Sequence, residues 1–229
     1  MSTTRVLKVV AVASCALVLV AALIGFLMYH AGGQSHGEAQ RVADVVAKVL
    51  QVSADLGAHR ATLTTRHYRT RAEYEEGQAL GAQTATVEAI VQEIEYVPTL
   101  SKYILVPAQV GTTPAQVFFS VDVRNFLADQ SQYPRRRLLR SENIEGIPYD
   151  VLDIAPEAGT PRAVLWIVRD SWLVKKATIL DGENELAECD FRYRKIDGHF
   201  FPERIVTHFK HTNEVVVQEY GSYTMGKSE

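Results

Sequence analysis

Cysteine is scarce in this chain of 229 residues, which contains only Cys15 and Cys189. Because Cys15 lies in an apolar run near the N-terminus, the rest of the chain has one cysteine and cannot form an internal disulfide. The folded part of the chain must therefore draw its stability from a hydrophobic core rather than from disulfides. No histidine motif accompanies Cys189, so we interpret it as a small buried strand residue rather than as the nucleophile of a thiol enzyme.

A strong excess of charge of either sign is also missing. Lysine and arginine number 24 and aspartate and glutamate number 27, which gives a formal net charge of −3. Nucleic-acid-binding domains carry clustered basic residues and a high isoelectric point, whereas the value here is near 6.2. These numbers exclude nucleic acid from the expected partners.

The common catalytic motifs are absent from the sequence. It contains no HExxH, GxSxG, P-loop, GxGxxG or CxxC motif, and its seven histidines are scattered. His208 and His211 fall on opposite faces of an alternating strand, as do Asp150 and Asp153. We interpret the two aspartates as surface or turn-capping residues. The sequence therefore predicts no enzyme activity, no metal site and no cofactor.

One long hydrophobic run is present, Val9–Tyr29, and it has 21 residues without a charge. A helix of this length covers about 30 Å, the thickness of the hydrocarbon core of a bilayer. Arg5 and Lys8 precede the run, and the positive-inside rule then leaves the N-terminus in the cytoplasm. The sequence favours a single-pass anchor that holds the following domain outside the cytoplasm.

Two alternatives to an uncleaved anchor follow from the same region. The small residues Ala31, Gly33 and Ala39 could serve a signal peptidase, although the apolar run exceeds the roughly 7–15 residues of a typical signal peptide. The segment Val12–Cys15 also fits a bacterial lipobox. An apolar stretch follows Cys15 where a lipidated cysteine would have a polar tether, which argues against lipidation.

The apolar run divides the chain into four expected segments. Residues 1–8 form a cytoplasmic segment, residues 9–29 the anchor or signal sequence, residues 30–37 a glycine-containing tether and residues 38–229 the exported domain. The domain begins with helical spacing of apolar residues, which predicts a helix that ends near Gly57 and packs one face on the core. The residues of that face are Val42, Val45, Val46, Val49 and Leu56.

Short alternating runs dominate the rest of the chain. They are separated by turn-rich pieces such as GTTP, PEAGTP, DGEN and DG, a pattern that favours a mainly antiparallel sheet or open barrel. Residues 84–97 fit either a helix or a strand, and their β-branched residues favour a strand. Residues 72–83 fit either a loop or a short helix. We expect a strand over residues 115–127.

The register of two hairpins can be predicted from which residues must share a face. With an odd loop that includes Asp197 and Gly198 and a glycine bulge, Phe191 pairs with Ile205 and Ala187 with Phe209. A two-residue loop would instead pair Arg194 with Phe201 and mix apolar with charged residues. The same argument predicts an odd loop at Asp181-Gly182, so that Ala177 and Ile179 align with Cys189 and Ala187.

Two predicted strands are apolar on both faces. Val164, Trp166 and Val168 lie on one face of the run RAVLWIVRD, and Leu165 and Ile167 lie on the other. The run that contains Phe118 and Phe119 repeats this pattern. Such strands need apolar surroundings on both sides, either packed layers or a core on one side and an apolar cavity on the other. The residues alone favour the doubly covered sheet.

A basic run, YPRRRLLR, contains four arginines: Arg135, Arg136, Arg137 and Arg140. Runs of this kind are usually a solvated loop or a strand edge. The functional alternative is contact with anionic lipid headgroups or an acidic partner, because guanidinium groups bind phosphate and carboxylate in a bidentate manner. The sequence does not decide between these two interpretations.

The order of motifs in the second half resembles the periplasmic outer-membrane lipoprotein-sorting (LolA-like) superfamily. The resemblance rests on a GIPYDVLDI strand (Gly146–Ile154), an LWIVRD strand (Leu165–Asp170), a KATILDG hairpin (Lys176–Gly182) and the run IDGHFFPERI (Ile196–Ile205). It covers the chain from about residue 37 onward. It is a pattern of strands and turns rather than a catalytic signature.

The resemblance implies an α+β, mainly β fold: a curved antiparallel sheet, or incomplete β-barrel, covered by helices and here preceded by one transmembrane helix. It also implies an apolar interior that shelters lipid or lipoprotein acyl chains. With this resemblance, an apolar cavity on one side of the sheet becomes the favoured explanation for the two strands that are apolar on both faces. Strand alternation supplies the candidate lining residues, which are Phe118, Val121, Leu152, Leu165, Ile167, Phe191, Tyr193, Phe201 and Ile205.

The function expected from these observations is envelope lipid or lipoprotein trafficking by a protein tethered to the bacterial inner membrane, with its C-terminal domain in the periplasm. If the signal is cleaved, the domain would be released into the periplasm. The alternative is a lipid-sensing regulatory or scaffold module that contacts a membrane-protein partner. The soluble carriers of the superfamily have a cleaved signal peptide, and an uncleaved anchor would be a departure from them.

Overall fold

The computed structural model describes residues 37–80, 87–97, 102–106, 123–158 and 161–225. Three helices occur in these ranges: α1 (residues 37–54), α2 (Arg71–Leu80) and α3 (Val123–Ala128). The strands of the first half are β1 (His59–Tyr68), β2 (Ala89–Val97), β3 (Lys102–Leu105), β4 (Arg135–Ile144) and β5 (Ile147–Ala155). Those of the second half are β6 (Arg162–Val168), β7 (Val174–Asp181), β8 (Asn184–Ile196), β9 (His199–Phe209) and β10 (Val215–Met225).

The ten strands form one curved antiparallel sheet in the order β3-β2-β1-β10-β9-β8-β7-β6-β5-β4. Strands β4 to β10 are a meander of hairpins. Strand β1 pairs with β10, so the first and last described strands are neighbours in the sheet. Among the described strands, β3 and β4 are the two edges of the sheet and do not pair, so the sheet stays open. The prediction of a mainly β fold with a curved antiparallel sheet is confirmed.

Two ambiguous segments of the sequence now have a definite structure. Residues 89–97 form strand β2, as their β-branched residues favoured. Residues 71–80 form helix α2, because Thr70 and Glu73 cap its N-terminus. The Thr70 hydroxyl accepts a hydrogen bond from the Glu73 amide (3.1 Å), and the Glu73 carboxylate accepts one from the amide of Arg69 (2.8 Å). This pattern is close to a capping box, and the T-x-x-E spacing could have identified it.

The strand predicted over residues 115–127 is wrong at its end, where Val123–Ala128 is helix α3. Strict alternation stops there, and the tertiary contacts of the segment decide its conformation. Phe126 packs on Tyr133 with ring centroids 4.5 Å apart, and the carbonyl group of Leu127 accepts a hydrogen bond from Arg136. The earlier part of the predicted strand, with Phe118 and Val121, lies outside the described residues.

The hairpin registers are confirmed, although the turns differ from those predicted. Phe191 pairs with Ile205 and Ala187 with Phe209, while Ile196 pairs with His199 across a two-residue Asp197-Gly198 turn. The extra residue that was predicted to lie in the loop lies instead in a bulge in the middle of the strands, where the register shifts between Arg192 and Tyr193. Beyond that bulge Arg194 does pair with Phe201.

The hairpin between β7 and β8 is built in the same way. Ala177 pairs with Cys189 and Ile179 with Ala187, as predicted. The loop itself has two residues, because Asp181 pairs with Asn184, and a register shift follows Ile179. Both odd-loop predictions therefore gave the right faces but the wrong place for the extra residue.

Strand pairing fixes which residues share a face of the sheet. One face, here named the apolar face, carries a row that runs across six strands at a single level: Leu152, Leu165, Ala177, Cys189, Thr207 and Val216. Every member of this row is buried. The opposite face, here named the polar face, carries charged and aromatic residues such as Glu142, Trp166, Lys176, Glu188 and Glu219.

The part of helix α1 from residue 44 onward and the turn after it contact the apolar face. The five residues predicted to form its apolar stripe are all buried: Val42, Val45, Val46, Val49 and Leu56. The Tyr96 hydroxyl donates a hydrogen bond of 2.8 Å to the carbonyl of Ser53, and Leu56 packs with Tyr96 and Phe201. The Lys48 ammonium lies 4.2 Å from the ring centroid of Trp172.

The predicted anchor, residues 9–29, and residues 30–36 of the predicted tether, residues 30–37, lie outside the described residues. Gly37, the last residue of that tether, is the first residue of helix α1. Within the described ranges, none of the helices has the length and apolarity that crossing a bilayer requires.

Candidate binding sites on the two faces of the sheet

Most of the residues predicted to line an acyl-chain cavity lie on the apolar face. Leu152 pairs with Leu165, Ile167 follows on the same strand, and Phe191 pairs with Ile205. Leu152, Leu165 and Ile167 have no exposed surface, and Phe191 and Ile205 are buried. Between these large side chains, strands β7 to β9 place smaller ones on the same face, namely Ala177, Ala187, Cys189 and Thr207. The result is a continuous buried apolar surface in which small side chains are bordered by larger ones.

The other predicted residues have separate surroundings. Tyr193 is half-buried and its hydroxyl donates a hydrogen bond of 2.9 Å to the carbonyl of Val174. Phe201 is fully buried in an aromatic cluster at one end of the sheet, where its ring lies 5.0 Å from that of His59 and 4.8 Å from that of Tyr223. Phe118 and Val121 lie outside the described residues.

His59 is the centre of this aromatic cluster. Its ring stacks on Tyr96 at 5.1 Å and meets Tyr103 edge-on at 5.4 Å. Its Nδ1 atom lies 3.0 Å from the carbonyl oxygen of Gly57, and its Nε2 atom lies 2.8 Å from the Tyr103 hydroxyl. Because a carbonyl oxygen can only accept, Nδ1 carries a proton, and both ring nitrogens are satisfied within the protein.

Polar side chains interrupt the apolar face at a few positions. The Sγ atom of Cys189 lies 3.6 Å from the Thr207 hydroxyl, and burial raises the pKa of the thiol to about 11. Cys189 is thus an inert core residue, as the sequence predicted. Gln218 is 97% buried, and its Oε1 atom is without a hydrogen-bond partner among the described residues.

Asp150 and Asp153 do not form a carboxylate pair, in agreement with the prediction from strand alternation. Asp153 accepts hydrogen bonds from Arg137 (3.3 Å) and Arg162 (3.2 Å) on the polar face. Asp150 is not the surface residue that the sequence suggested, because it is buried on the apolar face. There it accepts hydrogen bonds from Ser141 (2.7 Å) and Arg169 (2.9 Å), which satisfy the carboxylate.

The four arginines of the basic run fall on edge strand β4 and have different roles. Arg136 is half-buried and donates to the carbonyl groups of Leu127 (2.8 Å) and Tyr133 (3.3 Å). Arg137 and Arg140 pair with acidic residues, Asp153 and Glu142, and remain largely exposed. Arg135 is exposed and makes no hydrogen bond or ion pair with the described residues. The run is therefore a strand edge, with Arg135 its most available cation.

A cavity of about 480 Å³ lies on the polar face, between helix α2 and the sheet. We name it the α2 cavity. Its apolar and aromatic walls are Tyr74, Ile147, Tyr149, Phe191, Val206 and Val215. Its charged and polar groups are Arg71, Lys175, Glu188, Asp190, Arg192 and His208. The cavity is thus amphipathic, with a volume inside the usual range for small-molecule sites.

The sequence did not reveal the α2 cavity, although Glu188, Asp190 and Arg192 alternate with apolar residues along β8. That alternation indicated only a solvated outer face. The wall that turns this face into a cavity comes from helix α2, which is far away in sequence and whose helical state the sequence left open. Of the seven predicted lining residues that the structure describes, only Phe191 also lines the α2 cavity.

Comparison with known proteins supports the fold. The chain is similar to a DUF1329 family protein from Desulfovibrio piger, with 14% identity, a TM-score of 0.53 and coverage of 82% of this chain and 94% of the other. It is similar to a domain from Vibrio parahaemolyticus named for outer membrane lipoprotein sorting, with 12% identity, a TM-score of 0.54 and coverage of 83% and 94%. It is also similar to a LolA superfamily protein from Nitrosomonas europaea, with 14% identity, a TM-score of 0.50 and coverage of 82% and 94%.

Neither a protein-family model nor a curated protein matches the chain. At these levels of identity the structural similarity establishes the fold and no more. The resemblance read from the strands and turns of the sequence is therefore confirmed at the level of the fold: the solved structures that share it are DUF1329 and LolA superfamily proteins.

Proposed function

We propose that this protein is an exported lipid- or lipoprotein-binding protein that shelters acyl chains against the apolar face of its sheet. It would act in envelope lipid or lipoprotein trafficking. Residues 9–29 would tether it to the inner membrane, and residues 38–229 would lie in the periplasm. The fold supports this proposal, because one of the solved structures that share it is named for outer membrane lipoprotein sorting.

The observation that carries the proposal is the apolar row across the sheet. Leu152 and Leu165 lie in one row with the small side chains of Ala177 and Cys189, so a methylene chain lying across these four strands would contact apolar groups along its length. Each buried methylene contributes about 0.8 kcal/mol. Binding of this kind needs apolar area and no reactive residue, in keeping with the lack of catalytic motifs in the sequence.

The headgroup of such a ligand would lie at the boundary of the apolar face. Arg135, Arg137 and Arg140 on edge strand β4 remain the candidates for contact with an anionic headgroup or an acidic partner. Arg136 is a weaker candidate, because its guanidinium group already binds two main-chain carbonyls. Arg135 is the strongest, because it makes no ion pair within the described residues.

Two adjacent residues of β6 provide a matched test. Leu165 is fully buried in the apolar row, whereas the neighbouring Trp166 is half-buried on the polar face. Each is replaced in the full-length chain by p-benzoylphenylalanine, cells are irradiated, and adducts are identified by mass spectrometry. We expect lipid or lipoprotein adducts at position 165 and few at position 166.

Lipid extracts of the purified full-length protein complete the test. If the protein carries no acyl lipid above the level of a mock purification, and neither position 165 nor 166 forms lipid adducts, the proposal is wrong. Adducts with one stoichiometric membrane protein in place of lipid would support the alternative, a regulatory or scaffold module that contacts a membrane partner.

The tether is tested separately by fractionation. The full-length chain should sediment with inner-membrane vesicles and resist extraction at alkaline pH. Replacing residues 1–29 by a cleavable signal peptide should release the domain into the periplasmic fraction. If the unmodified chain is found in the soluble periplasmic fraction, the segment is cleaved and the protein is a soluble carrier.

A further inference from the structure

We infer that the α2 cavity is a second ligand site, and that it takes an organic anion with an apolar portion, such as the phosphate or carboxylate group of an acidic amphiphile. The cavity lies on the polar face, whereas the acyl chains of the proposed function would occupy the apolar face. The inference rests on the walls and the charges of the cavity, and it would hold even if the apolar face binds nothing.

The apolar portion of the ligand has a fixed wall to contact. Tyr74 of helix α2 packs on a cluster of Tyr68, Val215 and Val217, and the half-buried Val206 packs on the same cluster. The Tyr68 and Tyr74 rings meet edge-on with centroids 5.4 Å apart. Helix α2 is therefore held against strands β1, β9 and β10, and the cavity beside it keeps an apolar side.

Several charged groups of the cavity are already satisfied. The Glu188 carboxylate binds the ammonium groups of Lys176 and Lys210. Arg71 donates a hydrogen bond of 2.8 Å to Glu75 on the next turn of α2. The Nε2 atom of His208 lies 3.1 Å from the side-chain oxygen of Asn213. These groups shape the cavity but have little capacity left for a ligand.

Two cations and one carboxylate of the described cavity lining remain without a hydrogen bond or ion pair to another residue. Lys175, Arg192 and Asp190 make no hydrogen bond or ion pair with any other described residue, although Lys175 lies over the Tyr193 ring at 5.6 Å. Burial, and to a smaller degree the positive charge of Arg192, lower the pKa of Lys175. Lys175 and Arg192 repel each other, and Asp190 offsets only part of their charge, so a bound anion would relieve the remaining repulsion.

The charge balance favours an anion over a cation. The described lining residues and their direct partners comprise six positive groups, which are Arg71, Lys175, Lys176, Arg192, Arg204 and Lys210. They comprise three negative groups, which are Glu75, Glu188 and Asp190. Asp190 is the one free group that opposes an anion. Burial and the charge of Glu188 raise the pKa of its carboxyl group.

The test uses the full-length protein in nanodiscs of zwitterionic lipid and isothermal titration calorimetry, with the signal of empty nanodiscs subtracted. The probes are octyl phosphate, octanoate, inorganic phosphate and octyltrimethylammonium. We expect octyl phosphate and octanoate to bind more tightly than inorganic phosphate, because only they contact the apolar wall. Equal affinity for octyl phosphate and inorganic phosphate would overturn the inference that the ligand has an apolar portion, and the cavity would then be a site for a free anion.

Single substitutions locate the site. Lys175→Gln and Arg192→Gln should each weaken octyl phosphate binding by about tenfold or more, because each removes a charge-assisted hydrogen-bond donor. Lys195→Gln makes the same change of charge on exposed Lys195 outside the cavity and should leave the affinity unchanged. Asp190→Asn should tighten binding, since it removes the opposing carboxylate.

The inference predicts the direction in which each substitution changes the affinity for octyl phosphate. Thermal melts of each variant verify that the fold is retained. Octyl phosphate binding that is insensitive to both Lys175→Gln and Arg192→Gln would place the ligand elsewhere and overturn the inference. So would the absence of binding by any anionic probe, or weaker octyl phosphate binding in Asp190→Asn together with binding of octyltrimethylammonium.

Discussion

Lys210, in the turn after β9, donates a hydrogen bond of 2.6 Å to Glu188 in the middle of β8. Glu188 also binds Lys176 on β7, so one carboxylate links three consecutive parts of the meander. Lys176 in turn lies 5.4 Å from the ring centroid of Trp166, whose Nε1 atom donates a 2.7 Å hydrogen bond to Glu142. The polar face is thus tied together by side chains from β4 to β9.

Glu188→Gln should reduce stability in a pH-dependent way. The two lysines hold the pKa of Glu188 at about 2, well below its ordinary value of 4.5. A lowered pKa contributes stability that is complete above pH 4.5 and is lost as the pH falls towards 2. Because the carboxylate is partly exposed, we expect a loss of about 1–2 kcal/mol at pH 7.

Urea denaturation of the wild type and of Glu188→Gln between pH 7 and pH 2.5 measures this effect. The difference between the two proteins should shrink steadily below pH 4.5. Glu185→Gln is the matched control, since Glu185 is exposed on the same strand and makes no ion pair with the described residues. A Glu188→Gln difference that is constant over this pH range would contradict the assignment.

Gly198→Ala should destabilise the β8–β9 hairpin. Asp197 and Gly198 have φ values of 49° and 88°, and a two-residue hairpin turn with both φ positive is strained for a residue with a Cβ atom. No atom lies within 4 Å of the place that a Cβ would occupy at Gly198, so the cost is conformational rather than steric. We expect a loss of about 1–2 kcal/mol.

Gly221→Ala is the control for this substitution. Gly221 also has open space where a Cβ would be, but its φ is not positive, so alanine should be tolerated or slightly stabilising. Chemical denaturation of both variants gives the comparison. Similar stability of the two alanine variants would mean that the turn conformation at Gly198 is not required.

The register of this hairpin could be predicted from the sequence, whereas its bulge could not. Register follows from burial, because a one-residue slip would move Phe191 and Cys189 to the charged face. The place of the extra residue depends on contacts from other strands. Next to the bulge, the carbonyl group of Pro202 accepts a hydrogen bond from the hydroxyl of Tyr223 on β10, a contact that local sequence does not reveal. A bulge also tolerates the missing amide hydrogen of Pro202.

The same distinction applies to the two candidate sites. The apolar face could be predicted because alternation along β8 and β9 assigns Cys189, Phe191 and Ile205 to one side of the sheet. The α2 cavity could not, because its charged side is an ordinary solvated strand face until a distant helix packs beside it. The cap at Thr70 and Glu73 was the available signal for that helix, but nothing local indicates where the helix packs.

Arg136→Gln should destabilise the protein, unlike Arg135→Gln. Arg136 binds the carbonyl of Leu127 in the last turn of α3 and the carbonyl of Tyr133 beyond it. Without the guanidinium group, both carbonyls lose a charged donor, and we expect a loss of about 1.5–3 kcal/mol. Arg135 is exposed and its removal should cost less than about 0.5 kcal/mol.

Thermal or urea unfolding of the two variants checks this prediction. If lipid headgroups also bind here, sedimentation with anionic vesicles should fall in Arg135→Gln while its stability is unchanged. Equal destabilisation by the two substitutions would show that the difference in their surroundings has no energetic consequence.

Gln218→Leu should make the protein more stable. The Gln218 side chain is 97% buried on the apolar face, opposite Ile205 on one side and Thr65 on the other. Its Oε1 atom is without a hydrogen-bond partner among the described residues. A buried polar group that is left unsatisfied costs about 1–3 kcal/mol, and leucine has a similar volume without that cost. We expect a gain of about 1 kcal/mol.

The comparison with Gln51→Leu isolates the effect of burial, because Gln51 lies on helix α1 and is exposed. That control should change the free energy of unfolding by less than about 0.5 kcal/mol. If Gln218→Leu is instead destabilising by more than the control, the amide is satisfied in solution, most simply by a bound water molecule. In that case the apolar face contains a hydrated polar position at Gln218, and an acyl chain that crosses β10 would have to displace that water.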